Sequence, residues 1–455
     1  MKVGLISLGC PKNLVDSEVM LGHLLAAGHE ITPDERAADA IIVNTCCFIE
    51  PARAEAARAV EGALALKRAG SCRLVIIAGC WPQREGARLL EQFPDADAVI
   101  GVNDVPRIAV ILEQRSAPAG EARSRRPALH LAPPDYLYTH DAPRLLATPP
   151  WTAYAKIAEG CDHRCSFCVI PRLRGPLRSR ALASVVAEVE GLARRGVKEI
   201  NLVAQDTTAY GRDLYGRPRL GELLRRLAAV EGVRWLRLMY CFPTEIDEDL
   251  IGLLRDEPKL CKYVDLPVQH SERELLRAMR RPGSGARYLE LMGRLRAQVP
   301  GIALRTSIVV GFPGETPRQF EALLAFMAAA RFDRAGAFVY SREEGTPAAR
   351  LGQPTPPDEA QRRYRRVMEL QQGISLELNR GWIGKDLEVL VEARAPRPFA
   401  WVGRSPRDAP EIDGLVYLRG GKGVGPGDFV RARITAAREY DLEGEIIADQ
   451  PAPQP

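Results

Sequence analysis

Short apolar runs alternate with amphipathic stretches over the first 112 residues of the chain. The apolar runs are "KVGLISLG", "AIIVNT", "RLVIIAG" and "AVIG", and the stretches after them cover 15–27, 51–69, 83–92 and 104–112. A strand that is followed each time by a helix is typical of a parallel sheet with helices on its faces. This part of the chain is therefore predicted to be a small α/β domain.

The same alternation resumes after residue 150. Candidate strands lie at 152–158, 197–204, 234–239, 262–266, 302–309 and 334–340, with helix-length segments between them. Six such units predict a full or partial parallel barrel, whose chemistry lies in the loops after the strands. Residues 113–150 hold seven prolines and show no helical or strand period, which predicts a linker.

The end of the chain has a different pattern. A polar helix at about 357–380 is followed by short strands separated by Gly and Pro turns, which predicts a small all-β barrel of OB-like type. Residues 376–447 carry eleven Arg or Lys and twelve Asp or Glu. By composition this β region is therefore not a basic RNA-binding surface.

Composition narrows the class of protein. The chain has 455 residues, a net charge of +5 and ten cysteines, and it lacks both a long apolar run and a secretory signal. We therefore expect a protein of the cytoplasm that does not enter a membrane. Ten cysteines are too few for a disulfide scaffold in a chain of this length, so those that cluster indicate metal binding or chemistry.

Three cysteines cluster directly after the first predicted barrel strand. Cys161, Cys165 and Cys168 form C-x3-C-x2-C in "GCDHRCSFC". A structural zinc site normally has four protein ligands, and His163 lies too close to two of the cysteines to join them easily. Three thiolates instead favour a [4Fe–4S] cluster with one iron left open.

This motif resembles that of the radical SAM superfamily, in which S-adenosylmethionine binds the open iron. The resemblance makes Phe167 the aromatic residue of the motif, and it implies that Gln205 lies against the methionine amino group. It also puts Gly311 and Gly314, in "VVGFPGE", where backbone approaches the cofactor closely. Each of these loops is a weak signal alone, and together they are specific.

A second group of cysteines is scattered along the N-terminal region. Cys10, Cys46 and Cys80 each follow directly on a predicted strand, in "LISLGC", "IIVNTC" and "VIIAGC". In a parallel sheet the carboxyl ends of the strands share one edge, so the three thiols are expected to converge there. They either are buried structural cysteines or hold a second [4Fe–4S] cluster, and we favour the cluster. Packing is expected of the remaining four, Cys47, Cys72, Cys241 and Cys261.

Together these regions resemble the methylthiotransferase family along essentially the whole chain. The resemblance implies an N-terminal domain at 1–115, a linker at 116–146, a radical SAM core at 147–376 and a TRAM domain at 377–448. It also implies two [4Fe–4S] clusters. S-adenosylmethionine would serve both as radical source and as methyl donor, and a sulfur source and an electron donor would be needed. We further expect a monomer.

Two stretches point to one branch of that family. "SLGCPKNLVDSE" and "DLPVQHSERELLRAMRRPG" resemble the branch that modifies the β-carbon of an aspartate in small-subunit ribosomal protein twelve. The branch that modifies adenosine in tRNA tends to have "GCQMN" and a "QSGSN"-like run at these places. The ribosomal protein is therefore the predicted substrate, tRNA is the rival, and a non-catalytic metal or electron-transfer protein is a third hypothesis.

Overall fold

A computed structural model describes residues 1–116 and 127–447 of the chain. The N-terminal region is an α/β unit, as predicted. Its strands are β1 (Lys2–Ser7), β2 (Glu30–Ile31), β3 (Ala40–Thr45), β4 (Leu74–Gly79), β5 (Ala98–Ile100) and β6 (Ala128–His130). Its helices are α1 (Pro11–Ala26), α2 (Glu50–Arg68), α3 (Cys80–Glu85), α4 (Arg88–Gln92) and α5 (Ile108–Ser116).

The six strands form one parallel sheet in the order β2-β1-β3-β4-β5-β6. Strands β3 and β4 are buried along their whole length because helices cover both faces of the sheet. Strand β6 corrects the expectation that 113–150 holds no strand. Its three residues are too few to show alternation in sequence, and it forms by pairing with the open edge of β5.

The central region contains the second sheet. Its strands are β7 (Thr152–Lys156), β8 (Ala158–Glu159), β9 (Arg178–Ser179), β10 (Glu199–Val203), β11 (Trp235–Leu238), β12 (Leu260–Asp265), β13 (Ala303–Val310) and β14 (Arg334–Val339). Its helices are α6 (Ile170–Arg174), α7 (Leu182–Arg194), α8 (Arg212–Tyr215), α9 (Leu220–Ala228), α10 (Glu248–Asp256), α11 (Arg273–Ala278), α12 (Gly285–Gln298), α13 (Pro317–Ala330) and α14 (Pro357–Arg380).

Six parallel strands of this region lie in the order β14-β13-β12-β11-β10-β7. The end strands β7 and β14 do not pair with each other, so the predicted barrel is a partial one. The largest apolar cluster of the described residues packs between these strands and their helices. Residues of the site therefore stand on a rigid scaffold at the carboxyl ends of the strands.

The C-terminal region is a closed five-stranded barrel, as predicted. It consists of β15 (Asp386–Arg394), β16 (Trp401–Arg404), β17 (Val416–Arg419), β18 (Phe429–Ala437) and β19 (Leu442–Ile446), in the order β15-β16-β17-β19-β18. Its Arg404 is buried and reaches Glu199 at the start of β10 (Nη2 to Oε2, 2.6 Å). Its Asp413 accepts a hydrogen bond from the Tyr263 hydroxyl (2.7 Å). These contacts attach the small barrel to the central sheet.

The division into domains stays a prediction. The predicted boundary at 376/377 falls inside α14, which links the central sheet to the small barrel. Residues 117–126 of the predicted linker and residue 448 of the predicted TRAM domain lie outside the described residues. Within the described ranges, no helix combines the length and the apolar character that a membrane span requires.

Candidate functional site

The first cysteine motif lies in the loop after β7, at the carboxyl ends of the barrel strands. Strands β8 and β9 pair across the base of this loop, and the N–H of Cys161 donates to the Gly175 carbonyl (3.1 Å). Gly160 has φ of +77°, and a Cβ there would stand 2.0 Å from the Pro176 carbonyl oxygen. Only glycine fits this turn, which fixes where Cys161 leaves the strand.

Cys161, Cys165 and Cys168 are all half-buried. The loop that carries them is fixed by Phe167, whose ring packs on a buried apolar cluster of Leu275, Met279, Val309, Phe312, Tyr340 and Ala348. Ser166 adds a hydrogen bond from its hydroxyl to the Ala278 carbonyl (2.7 Å). Phe167 therefore anchors the loop, and its contact with a cofactor stays a prediction.

Burial raises the pKa of Cys161 and of Cys168 to about 12 each. The thiolate is the form that binds metal, so a cluster can form here only as these protons are released. The guanidinium of Arg281, whose Nη1 lies 3.6 Å from the Cys165 Sγ, favours the thiolate charge. The donor set and its cation suit an anionic iron–sulfur cluster.

The surroundings of His163 argue against zinc. Its Nε2 lies 2.6 Å from an Asp206 carboxylate oxygen, and its ring stacks on Phe242 with the centroids 3.9 Å apart. In the described ranges, no three His, Cys, Asp or Glu side chains form a group that could hold a single ion. A cluster differs from such a site because each thiolate binds its own iron.

Gln205 follows β10 at the same end of the barrel. Its Nε2 donates to Glu159 Oε1 (2.7 Å), whereas its Oε1 is buried and has no hydrogen-bond partner among the residues that the structure describes. A buried acceptor left open costs about 1–3 kcal/mol. An ammonium group on a bound molecule would satisfy it, so this site fits the amino group of S-adenosylmethionine.

The two predicted cofactor glycines have conformational reasons of their own. Gly311 has φ of +76°, and a Cβ there would stand 2.9 Å from the Cβ of Ala360 in α14. Its N–H donates to the Glu315 carboxylate. Gly314 is exposed with φ of +85°. These facts explain glycine at both positions without a ligand, so contact with the cofactor stays a prediction.

The second group of cysteines lies at one edge of the N-terminal sheet. Cys10 directly precedes α1, Cys46 follows β3 and Cys80 begins α3 after β4. Strands β1, β3 and β4 are direct neighbours in the sheet. The loops also touch, since a Cβ on Gly9 would stand 2.6 Å from the Cβ of Cys46. The structure thus confirms the predicted location of the three cysteines, while their metal binding stays a prediction.

Of the three cysteines in this group, Cys80 makes the most contacts with polar groups. Burial raises its pKa to about 12, although Arg174 opposes this shift. Arg174 donates to the Cys80 Sγ from Nε (3.3 Å) and from Nη2 (3.1 Å). A cation with two N–H groups on one sulfur stabilises a bound thiolate. The four cysteines that were predicted to pack, Cys47, Cys72, Cys241 and Cys261, are all buried.

A chain of buried charges connects the two cysteine groups. Besides Cys80, Arg174 contacts Asp16 of α1 (2.6 Å) and Glu159 of β8 (3.1 Å). Lys156 is shared by the same two carboxylates, at 2.6 Å from Glu159. Glu159 also accepts a hydrogen bond from the side-chain amide of Gln205. The cysteine edge of the N-terminal sheet and the mouth of the barrel therefore face each other across one network.

Sequence reasoning missed this network. Arg174 lies six residues after Cys168, in "CVIPRLRG", where it reads as an ordinary surface arginine. Lys12 and Asp16 are four residues apart at the start of α1, and both are buried. The available signal was the pair of charged residues in the first turns of a helix beside a cysteine. Their burial could not be recognised from the sequence, because it arises only when the two domains pack together.

Three family models match successive parts of the chain. The model described as "Uncharacterized protein family UPF0004" matches residues 2–101, that of the "Radical SAM superfamily" matches 156–327, and that of the "TRAM domain" matches 383–447. The matches fall on the N-terminal sheet without β6, on the partial barrel without β14 and most of β7, and on the small closed barrel. The three regions of the fold are therefore three known modules in one chain.

Named relatives are similar in sequence to this chain over nearly its full length. The ribosomal protein uS12 methylthiotransferase RimO of Pelotomaculum thermopropionicum is 49% identical over 448 residues, which are 98% of this chain and 99% of that protein. The RimO proteins of Heliobacterium modesticaldum and Geobacter sulfurreducens are 48% and 47% identical, and each covers 98% or more of this chain. They span 96% and 99% of those proteins.

Solved structures share the fold at low identity. The radical S-adenosylmethionine methyltransferase TsrM from Kitasatospora setae has a TM-score of 0.55 at 20% identity and covers 76% of either chain. The S-adenosylmethionine radical enzyme OxsB has a TM-score of 0.50 at 11% identity, over 81% of this chain and 56% of that one. From the matches along its whole length, the chain belongs to the family of ribosomal protein uS12 methylthiotransferases within the radical SAM superfamily.

Proposed function

We propose that this chain inserts sulfur and a methyl group at the β-carbon of an aspartate in ribosomal protein uS12, the small-subunit ribosomal protein twelve. Membership of the family supports the class of reaction, and the names of the relatives support the choice of substrate. The supporting observation in the structure is that two groups of three cysteines face each other across the Arg174 and Glu159 network. Two groups in this arrangement fit an enzyme that uses two clusters.

Each group of cysteines has a separate proposed role. Cys161, Cys165 and Cys168 would hold a [4Fe–4S] cluster that binds S-adenosylmethionine, and Cys10, Cys46 and Cys80 would hold a second [4Fe–4S] cluster. When bound, the first cluster and its S-adenosylmethionine supply the radical that removes a hydrogen atom from substrate, and the second cluster supplies a place for the incoming sulfur.

The chain's own residues bind and orient. Gln205 accepts a hydrogen bond from the methionine amino group, and Glu159 fixes the Gln205 amide in the required direction. Arg174 holds the two halves of the site together through Asp16 and Glu159, both of which are buried. The same burial keeps water from the region between the two groups, which protects a radical from side reactions. Phe167, Gly311 and Gly314 are proposed to border the cofactor.

The remaining parts of the proposal concern partners. A sulfur source and an electron donor must act on the chain, because neither sulfur nor electrons come from uS12. We propose that the chain acts as a monomer in the cytoplasm, where ribosomal proteins are made. S-adenosylmethionine would serve both as radical source and as methyl donor.

Mass spectrometry of products tests the proposal. Chain reconstituted anaerobically with iron and sulfide is supplied with S-adenosylmethionine, a reductant and recombinant uS12, and in parallel with tRNA. We expect a methylthio group on one aspartate of uS12, together with deoxyadenosine. The matched control substrate is uS12 in which that aspartate is replaced by asparagine.

Two results would overturn the proposal. A methylthio-adenosine in tRNA with unmodified uS12 would assign the chain to the rival substrate. Failure to release any deoxyadenosine from S-adenosylmethionine, with both clusters present, would favour the electron-transfer hypothesis.

A further inference from the structure

Lys12 is a buried cation in the region between the two cysteine groups. It is the second residue of α1 and comes two positions after Cys10. Only 8% of the residue is exposed, and its Nζ lies 3.3 Å from the centroid of the Tyr240 ring. Lysine is almost never buried to this extent without a partner.

No carboxylate of the described residues forms an ion pair with this lysine. Within residues 1–116 and 127–447, no Asp or Glu oxygen lies within 4.0 Å of its Nζ. The other cations of this region do form ion pairs with carboxylates. Lys156 and Arg174 share Asp16 and Glu159, and Arg305 pairs with Asp265 (2.8 Å). Lys12 is therefore a buried cation without a carboxylate at ion-pair distance among the described residues, and the groups that favour its charge are Tyr240, Cys10 and the more distant Asp265.

Tyr240 presents its ring to Lys12 through an unusual backbone. It lies two residues after β11 and has φ of +60°, a region that a bulky aromatic residue rarely occupies. Its N–H donates to an Asp265 carboxylate oxygen (3.0 Å), and its carbonyl accepts from the N–H of Thr207 (3.1 Å). Thr207 lies two residues after Gln205, so the ring is at the barrel mouth. Such strained positions concentrate at ligand sites.

Among the described residues, Arg281 is the other buried cation that has no carboxylate partner, and its setting is different. It donates to the Pro267 carbonyl (2.5 Å) and contacts the Cys165 Sγ. It therefore belongs to the barrel motif and acts on the cofactor side. Lys12 comes two residues after Cys10 and so lies beside the second group of cysteines.

We propose that Lys12 binds the side-chain carboxylate of the substrate aspartate. The inference rests on the proposed function, in which the reacting carbon is bonded directly to that carboxyl carbon. The Lys12 ammonium, which lies over the Tyr240 ring, would donate a charge-assisted hydrogen bond to this carboxylate. The bound carboxylate would then orient one β-hydrogen toward the barrel mouth. Lys12 is thus a specificity-determining residue that excludes side chains without a negative charge.

A double-mutant cycle tests this pairing. The dissociation constant of recombinant uS12 is measured for the reconstituted enzyme without reductant, using uS12 with its aspartate or with asparagine in that place. We expect Lys12→Met to weaken binding of the aspartate form about 10- to 100-fold. It should leave binding of the asparagine form nearly unchanged, because the partner charge is already absent.

Three controls separate this role from a structural one. Lys12→Arg keeps the charge and should restore most of the binding. Lys385→Met removes a lysine that lies over the Trp382 ring at 5.2 Å, in the small barrel, and should have no effect. Iron content and thermal unfolding show whether each variant folds and binds metal as the unaltered enzyme does.

Equal losses for aspartate and asparagine forms of uS12 would overturn the proposal, as would unchanged binding by Lys12→Met. If the unaltered enzyme neither binds nor modifies uS12, the proposed function itself fails, and that outcome is distinct from a failure of the Lys12 pairing.

Discussion

The two groups of cysteines reach similar arrangements by different routes. Cys161, Cys165 and Cys168 lie within eight residues of one loop, and a short strand pair closes that loop. Cys10, Cys46 and Cys80 come from three separate strand ends and meet only because β1, β3 and β4 are neighbours. The first group depends on a local turn, whereas the second depends on the whole N-terminal sheet.

The polar contacts of the two groups also differ. Cys80 accepts two N–H groups of the buried Arg174, at 3.1 and 3.3 Å. Cys165 has one longer contact with Arg281, at 3.6 Å. Hydrogen bonds to sulfur raise the reduction potential of an iron–sulfur cluster. If both groups hold clusters, these contacts would give the two clusters different reduction potentials, and the predictions below test that difference.

The largest expected effect comes from the barrel group. Cys165→Ala should remove one cluster and lower deoxyadenosine formation to background, because S-adenosylmethionine loses its iron. Anaerobic iron analysis should fall from about eight to about four irons per chain. Deoxyadenosine release by this variant at a tenth of the normal rate or more would break the assignment.

The N-terminal group should give the opposite pattern. Cys80→Ala should also bind about four irons, keep deoxyadenosine formation and lose the methylthio product. Cys72→Ala is the matched control because Cys72 is buried just before the same strand that Cys80 follows, at its other end. Loss of iron from the Cys72 variant as large as that from Cys80→Ala would contradict the edge site.

These groups differ in how far sequence could predict them. The spacing of Cys161, Cys165 and Cys168 is local, so the sequence alone placed them in a loop after the first strand of a full or partial barrel, and the structure has that loop after β7 of a partial barrel. Cys10, Cys46 and Cys80 required the further step of placing strand ends at one sheet edge, which the structure confirms. Arg174, Glu159 and Lys12 were missed because their roles arise from packing of one domain on another. Strand β6 was missed because pairing with β5, rather than its own three residues, creates it.

A smaller effect is expected from Arg174. Arg174→Met removes two N–H groups from Cys80 and leaves Asp16 and Glu159 with fewer partners. The reduction potential of the N-terminal cluster should become more negative, and stability should fall by about 3 kcal/mol. Redox titration followed by electron paramagnetic resonance, in a Cys165→Ala background, reads that cluster alone. An unchanged potential would show that the two contacts do not tune it.

The smallest effect on either group of cysteines should come from removing the ion pair between Arg404 of the small barrel and Glu199 of the central sheet. Burial opposes the charge of Glu199, but Arg404 outweighs it and lowers the pKa of Glu199 to about 2. Because this pKa lies below its unfolded value, the ion pair stabilises the fold above about pH 4.5 and loses that contribution as pH falls toward 2. Arg404→Met should therefore destabilise the chain by about 3 kcal/mol at pH 7, and by less at pH 3.

Urea unfolding at the two pH values measures this change, and iron content should stay at about eight per chain. Arg433→Met is the control, since Arg433 and its partner Asp386 form an exposed pair on the small barrel that contributes little. A destabilisation by Arg404→Met that does not shrink in acid would contradict the assigned ion pair.

Iron and sulfide analysis of the anaerobically reconstituted, unaltered chain tests the central claim of two cluster sites most directly. We predict about eight irons and eight sulfides per chain, with about four of each remaining when Cys10, Cys46 and Cys80 are replaced together by alanine. About four irons in the unaltered chain, unchanged by that triple replacement, would contradict the second site.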